Sequence, residues 1–289
     1  LQWLYFYCLE VALSNVVDKY NINKIGCIHE MHNYSRIVWR VASRYKAKGY
    51  TVQHAVITSG KRWYFSYPEE IESGLVLPDV MYIYNQDVEG LLQPYFPNTR
   101  FVLGCSSRYA HWKEIYGHQD GENKYYLFAG ALARFDNEVL IASIRNLLKV
   151  NKCSVPIRLR LHPKAVVGFL ERYWLRSSIK KGLIEISNET SLRSDLKNSI
   201  AIIGMSTTVL EEALLLGCPV IQLKHPDYIM FINLDGISGS KIIDYKDLSE
   251  KIVDEVSGMH VDSVKMRERL GLNQPVVTYE RLFSNSMSI

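Results

Sequence analysis

Short apolar runs alternate with stretches of helical periodicity along most of the chain. KIGCIHE (24–30), YTVQHAVI (50–57), PDVMYIYN (78–85) and RFVLGC (100–105) read as strands. Between the first two, SRIVWRVASRYKAKG (35–49) places Ile37, Val38, Val41 and Tyr45 on one helical face, with Gly49 as its stop. QDVEGLLQPY is a short helix, and LQWLYFYCLEVAL at the start reads as an amphipathic one. The polar stretch GHQDGEN (117–123) is the best linker. The pattern then restarts. KYYLFAG (124–130), PIRLRLHPK, GLIEIS, IAIIGMS (200–206) and CPVIQL are strands. DNEVLIASIRNLLKV, VVGFLERYWLRSS, SLRSDLKNS, TTVLEEALLLG and LSEKIVDEV are helices, the first capped by Asp136 or Asn137.

Such alternation implies parallel sheets covered on both faces. The expected fold class is α/β, with two Rossmann-like doubly wound parallel-sheet domains at residues 1–118 and 119–289. The N-terminal domain shows four strands, fewer than a full domain of this type. Ligands in such sheets bind beyond the carboxyl ends of the strands.

Composition narrows the function classes. The chain has 289 residues, 47% hydrophobic and 22% charged, so an ordered globular protein is expected. A net charge of +4 with no long basic block argues against nucleic acid as a partner. It is compatible with anionic small molecules or a membrane surface. The five cysteines are widely spaced and form no C-x-x-C, which predicts free thiols and a cytoplasmic protein. No apolar run is long enough for a membrane span. YKAKGY and RYWLRSSIKK permit peripheral contact with the inner face of a membrane, although solvated helix faces explain them equally. The chain begins at Leu1, which suggests a piece of a longer protein.

Two segments carry candidate chemistry. In RLRLHPK (158–164), Arg158, Arg160 and His162 alternate with leucines, and Pro163 ends the strand beside Lys164. The face is either a solvated edge or a cationic tip for an anion. In GMSTTVLEEALLLGCPVI (204–221), an apolar strand ends at Gly204, and Ser206, Thr207 and Thr208 open a helix. One hydroxyl suffices for capping; three suggest an anion site at the helix mouth. Glu212 lies one turn after Thr208 and can accept ribose hydroxyls, while Glu211 better suits a solvent-facing role. Gly130 ends another strand where a backbone can approach a ligand. In the N-terminal half, Glu30 follows a strand between His29 and His32, and His54 lies in YTVQHAVI. Glu30 is the candidate general base or nucleophile. His54 is a base, an acceptor-binding group, or a buried core histidine.

The strand ending in HP, the G-x-S-[ST]-T-x-x-x-E-A helix and the following G-x-P-V resemble the C-terminal domain of GT-B fold glycosyltransferases. The similarity covers roughly 124–225 and looks most like bacterial capsule and surface-carbohydrate enzymes, including those using CMP-linked sialic acid or Kdo. It implies His162 and Pro163 on the donor phosphate, with Ser206, Thr207 and Thr208 as the hydroxyl motif and Glu212 on the sugar. A second HP, His225-Pro226, is taken as a loop on the pocket rim. The absence of a D-x-D motif implies no metal and no cofactor beyond the donor. The expected partners are a nucleotide sugar and a glycan or lipid-linked glycan acceptor. The expected activity is transfer from a nucleotide donor, CMP-linked, with catalytic roles for Glu30, His54 and His162. Alternatives are a UDP-sugar transferase, an enzyme like UDP-GlcNAc 2-epimerase, and a non-catalytic nucleotide- or carbohydrate-binding module.

Overall fold

The structure, a computed structural model, describes residues 2–27, 31–105, 107–113, 124–150, 154–188, 191–278 and 280. It divides into two compact units, residues 1–114 with 267–289, and residues 115–266. The expected linker at 117–123 lies outside the described residues.

Unit 1 holds a four-stranded parallel sheet in the order β1 (Lys24–Cys27), β2 (Lys48–Val52), β3 (Val80–Ile83), β4 (Arg100–Leu103). These are the four strands expected from the sequence. Every residue of β3 is buried, as an inner strand covered on both faces requires. Helix α1 (Gln2–Lys19) packs on α2 (Asn33–Arg44) through Phe6, Leu9, Leu13 and Val17 against Ile37 and Val41. Glu10 ties the pair by reaching both Arg40 and Arg44. Yet α1 is aromatic on its far side too, with Trp3 88% exposed, so it is less amphipathic than its sequence suggested. Helix α2 ends at Arg44, and Lys46 turns the chain with a φ of 56°; the expected stop, Gly49, lies inside β2. Two further helices are α3 (Pro68–Glu72) and α4 (Gln86–Leu92), the latter capped by Asn85, whose Oδ1 accepts the Val88 N–H at 3.1 Å.

Residues 267–278, which the expected boundary assigns to the second domain, pack on unit 1. Asn85 donates to the Arg269 carbonyl at 2.9 Å, Arg267 donates to the Lys113 carbonyl at 2.6 Å, and Cys105 bridges Val276.

Unit 2 is a six-stranded parallel sheet. Its strands in chain order are β5 (Tyr125–Ala129), β6 (Ile157–Arg160), β7 (Glu185–Ile186), β8 (Ser199–Gly204), β9 (Val220–Lys224) and β10 (Ser240–Asp244). Their spatial order is β10-β9-β8-β5-β6-β7. The sequence pattern predicts five of these; the sixth, β10, is a half-buried edge strand whose alternation is broken by charge. Helices α5 (Arg134–Val150), α6 (Phe169–Lys180), α7 (Leu192–Lys197), α8 (Val209–Leu215) and α9 (Glu250–Ser257) join or cover these strands, and α10 (Ser263–Arg269) leads back to unit 1. All of β5 is buried, and Tyr126 and Phe128 pack with Leu140, Ile144, Leu159 and Ile203 in the main core. Burial of each such side chain contributes about 2 kcal/mol.

Candidate functional site

The strand order creates the site. From β5 the chain moves one way to β6 and β7, then crosses back to lay β8, β9 and β10 on the other side. The switch therefore falls between β5 and β8, the place where sheets of this kind carry a ligand crevice beyond the carboxyl ends of the strands. Registration makes the ends level: Ala129 pairs with both Arg160 and Gly204.

Two glycines line this mouth. A Cβ on Gly130 would come within 2.8 Å of Asn137 Oδ1, and one on Gly204 within 3.1 Å of the Ala129 carbonyl oxygen. Both glycines are buried, and packing closes both positions to larger residues.

Asn137 organises the loops, a role the capping expectation missed. Helix α5 starts at Arg134, so Asn137 is inside it. Its buried amide accepts the Ala131 N–H at 3.0 Å and donates to the carbonyls of Ala131 (3.0 Å), Ala133 (3.0 Å) and Val166 (3.1 Å). One side chain thus ties the loop after β5 to the loop after β6. Asp136 is also no cap. It is 3% exposed, its Oδ1 has no hydrogen-bond partner among the described residues, and burial pushes its carboxyl up to about 6 despite a hydrogen bond from Tyr228.

His162 lies just past β6, exposed, in a turn closed by the Ala165 N–H on the His162 carbonyl at 2.8 Å. Its Nδ1 accepts the Lys164 N–H at 3.1 Å. In the neutral ring the proton is then on Nε2, which leaves that nitrogen a donor. Pro163 and Lys164 are exposed beside it. The second HP repeats this geometry: the Asp227 N–H reaches His225 Nδ1 at 3.3 Å, and the Tyr228 N–H reaches the His225 carbonyl at 3.2 Å.

After β8, Ser206 is half-buried and Thr207 is 8% exposed. Thr207 Oγ1 accepts the Val209 N–H at 3.4 Å, and Ser206 Oγ accepts the Phe231 N–H at 3.4 Å. Thr208 and Glu212 stack one turn apart, with the Glu212 N–H on the Thr208 carbonyl at 3.1 Å. Glu212 is half-buried, whereas Glu211, expected to face solvent, is fully buried. Helical spacing gives both glutamates similar prospects; packing against β8 and β9 distinguishes them.

Arg158 and Arg160 are not aimed at the crevice. Arg160 Nη1 lies 2.6 Å from Asp195 Oδ2, and Arg158 Nη1 lies 3.6 Å from Asp195 Oδ1. Arg158 also reaches Glu185 at 3.2 Å and covers the Tyr125 ring at 3.9 Å. Burial, followed by the Asp195 charge, pushes the Tyr125 hydroxyl up to about 12. The cationic face of β6 is thus structural up to Arg160, and only His162 and Lys164 remain at the tip.

In unit 1, Glu30 and His29 lie outside the described residues. His54 is half-buried two residues after β2, beside the fully buried Gln53. Gln53 Oε1 accepts the Tyr84 N–H at 2.9 Å, pinning the ends of β2 and β3 together. A separate groove of about 620 Å³ lies against Trp3, Phe6, Tyr7, Arg36, Arg40 and Leu75. Its arginines already pair with Glu70 and Glu10, so it offers no surplus charge for a phosphate. Among the described residues, no cluster of three or more His, Cys, Asp or Glu side chains is placed to hold a metal, and no helix is long and apolar enough to cross a membrane.

No protein-family model matches the sequence, and no curated protein matches it. Solved structures share the fold. The UDP-GlcNAc 2-epimerase of Methanocaldococcus jannaschii superposes with a TM-score of 0.58 at 15% identity, over 89% of this chain and 75% of its own. The Neisseria meningitidis UDP-GlcNAc 2-epimerase, solved with UDP-GlcNAc, gives 0.57 at 12% identity, over 94% of this chain and 76% of its own. The pneumococcal O-GlcNAc transferase GtfA, solved with UDP and GlcNAc, gives 0.50 at 14% identity over 90% of this chain. The chain spans 52% of that transferase and about three quarters of the two epimerases. At these identities the likeness shows the fold: a GT-B-like pair of Rossmann-type parallel sheets.

Proposed function

We propose that this chain binds a nucleotide sugar at the β5/β8 crevice of unit 2 and transfers its sugar to a glycan or lipid-linked glycan acceptor. What supports the reading is the strand order and register: Gly130, His162 and Gly204 with the Ser206–Thr208 turn stand at or just past the level carboxyl ends of β5, β6 and β8, next to the switch point.

The chemistry follows from the groups. The His162 Nε2–H and the Lys164 ammonium donate to phosphate oxygens, whose charge grows as the bond from anomeric carbon to phosphate oxygen breaks. The Ser206, Thr207 and Thr208 hydroxyls and the Glu212 carboxylate are suited to the remaining phosphate oxygens and the ribose hydroxyls. The acceptor oxygen bonds to the anomeric carbon as its proton passes to a base, for which Glu30 and His54 are the candidates. Pro163 holds the His162 turn.

The neighbours described above favour UDP over the CMP-linked nonulosonic acid or Kdo suggested by the motifs, since their names concern UDP or UDP-GlcNAc. The epimerase likeness supports a second reading, inversion at C2 of a bound UDP-sugar. Incubation with UDP-GlcNAc, with and without glycan acceptors, separates the readings. Release of UDP supports transfer; appearance of the C2 epimer supports the second reading. Binding of UDP without either product supports a binding module, and binding of CMP but not UDP would restore the CMP donor.

A further inference from the structure

Helix α6 carries an outer face that the fold does not use. Its inner face is anchored: Leu175 sits in the main core of unit 2, Trp174 packs against that core, and the Arg145 guanidinium lies over the Trp174 ring at 4.8 Å. On the other side Phe169 is 83% exposed, Leu170 70% and Tyr173 73%. Phe169, Tyr173, Arg176 and Lys180 follow one another at spacings of four, three and four, so they form one stripe along the helix. Val166 and Leu132 are exposed in the loops after β6 and β5, which the Asn137 amide ties together. Large apolar side chains scattered singly on a surface need no explanation; a group of them at one helix start and its adjoining loops does.

The same face is cationic, and the helix's one carboxylate is turned away from it. Arg172, Arg176, Lys180 and Lys181 are exposed and form no ion pair among the described residues. Glu171 is half-buried and turned toward Arg134: a Cβ on Gly168 would meet Glu171 Oε2, Glu138 Oε1 and Arg134 Nη2 together. The stripe thus begins aromatic and ends positive. A protein partner fits this poorly, because protein interfaces gather aromatics at their centre and are depleted in lysine. Aromatic and aliphatic side chains beside a run of Arg and Lys suit the surface of a bilayer rich in anionic lipid, with the rings at headgroup depth and the cations on phosphates.

We propose that the outer face of α6, with Val166 and Leu132, docks on the surface of a membrane containing anionic phospholipid. The helix lies against the bilayer rather than across it, since at 12 residues it is too short to span. Each cation close to such a surface strengthens binding about fivefold, and salt screens the attraction. The apolar residues add an attraction that rests on buried area instead of charge. Because α6 starts after the His162 turn, docking sets that end of the sheet beside the lipid headgroups. The surface stands apart from the nucleotide reading, since none of its residues is assigned to the β5/β8 site.

Vesicle sedimentation of the whole chain, without nucleotide, tests this. The vesicles are phosphatidylcholine alone, or phosphatidylcholine mixed with phosphatidylglycerol. Wild type should sediment with the mixed vesicles, far less with phosphatidylcholine alone, and less as salt rises. Arg172→Gln with Arg176→Gln and Lys180→Gln should bind mixed vesicles on the order of a hundredfold more weakly. Phe169→Ser with Tyr173→Ser should weaken binding by about tenfold or more. All five positions are exposed, so thermal unfolding should not change. Trp3→Ser with Tyr7→Ser, on the exposed aromatic side of α1, should bind as wild type does. Wild type left in the supernatant would overturn the proposal and leave the face to a protein partner. Equal binding to phosphatidylcholine alone, unchanged binding by the α6 variants, or loss in the α1 variant alone would overturn it as well.

Discussion

Arg160 Nη1 stands 2.6 Å from the Oδ2 of Asp195, a residue with no exposed surface. This pair turns a strand face that looks like an anion site into a structural bracket between β6 and α7. Tyr125 and Ser199 complete it, with the Tyr125 hydroxyl on Asp195 Oδ1 at 3.2 Å and the Ser199 hydroxyl on the Asp195 carbonyl at 2.6 Å.

Removing the arginine should therefore damage stability rather than binding. Arg160→Met leaves a buried carboxylate short of its nearest cation and should cost about 3 kcal/mol. Denaturant unfolding should show a lowered midpoint, with nucleotide affinity of the remaining folded protein unchanged. Loss of affinity without loss of stability would place Arg160 in the ligand site instead.

Much of the fold was legible because buried parallel strands are short, apolar and followed by helices. KYYLFAG and IAIIGMS could hardly be anything else, and their terminal glycines marked the crevice. What remained hidden depends on partners distant in sequence. Asp195 lies 35 residues from Arg160, so nothing in RLRLHPK shows that its arginines are already paired. Asp136 and Asn137 looked like helix caps because acids and amides usually sit at helix starts; only the fold shows that the helix begins earlier and buries both. The choice between Glu211 and Glu212 turned on packing, which helical spacing does not encode.

Asn137 makes a sharper prediction about the crevice. Asn137→Ala leaves the Ala131 N–H and the Ala131 and Val166 carbonyls without their side-chain partner, while the Ala133 carbonyl keeps the backbone N–H of residue 137, at a cost of about 2 kcal/mol. The loops after β5 and β6 should loosen together. Hydrogen exchange should rise at residues 131–133 and 165–168 in the same variant. A rise confined to one loop would contradict the shared tie.

Asp136 predicts a pH-dependent stability of opposite sign to an ion-paired carboxylate. Its folded value of about 6 exceeds its free value of 3.8, so the folded state binds the extra proton between them. The favourable contribution is full below the free value and lost as pH rises through about 6, a change on the order of 3 kcal/mol. Asp136→Asn should thus raise the unfolding temperature at neutral pH and leave it nearly unchanged near pH 4. A variant less stable than wild type at neutral pH would show that the charged form is satisfied.

The central claim is that a nucleotide diphosphate sits at the β5/β8 crevice under the His162 turn. The most direct measurement is calorimetric titration of UDP into wild type and His162→Ala, a change at an exposed position that should leave folding intact. Loss of a donor to a charged phosphate is worth about 1.5–3 kcal/mol, so affinity should fall by about tenfold or more, with unchanged thermal unfolding of the free protein. Equal UDP affinity in the two proteins, or no UDP binding by wild type, would contradict the account.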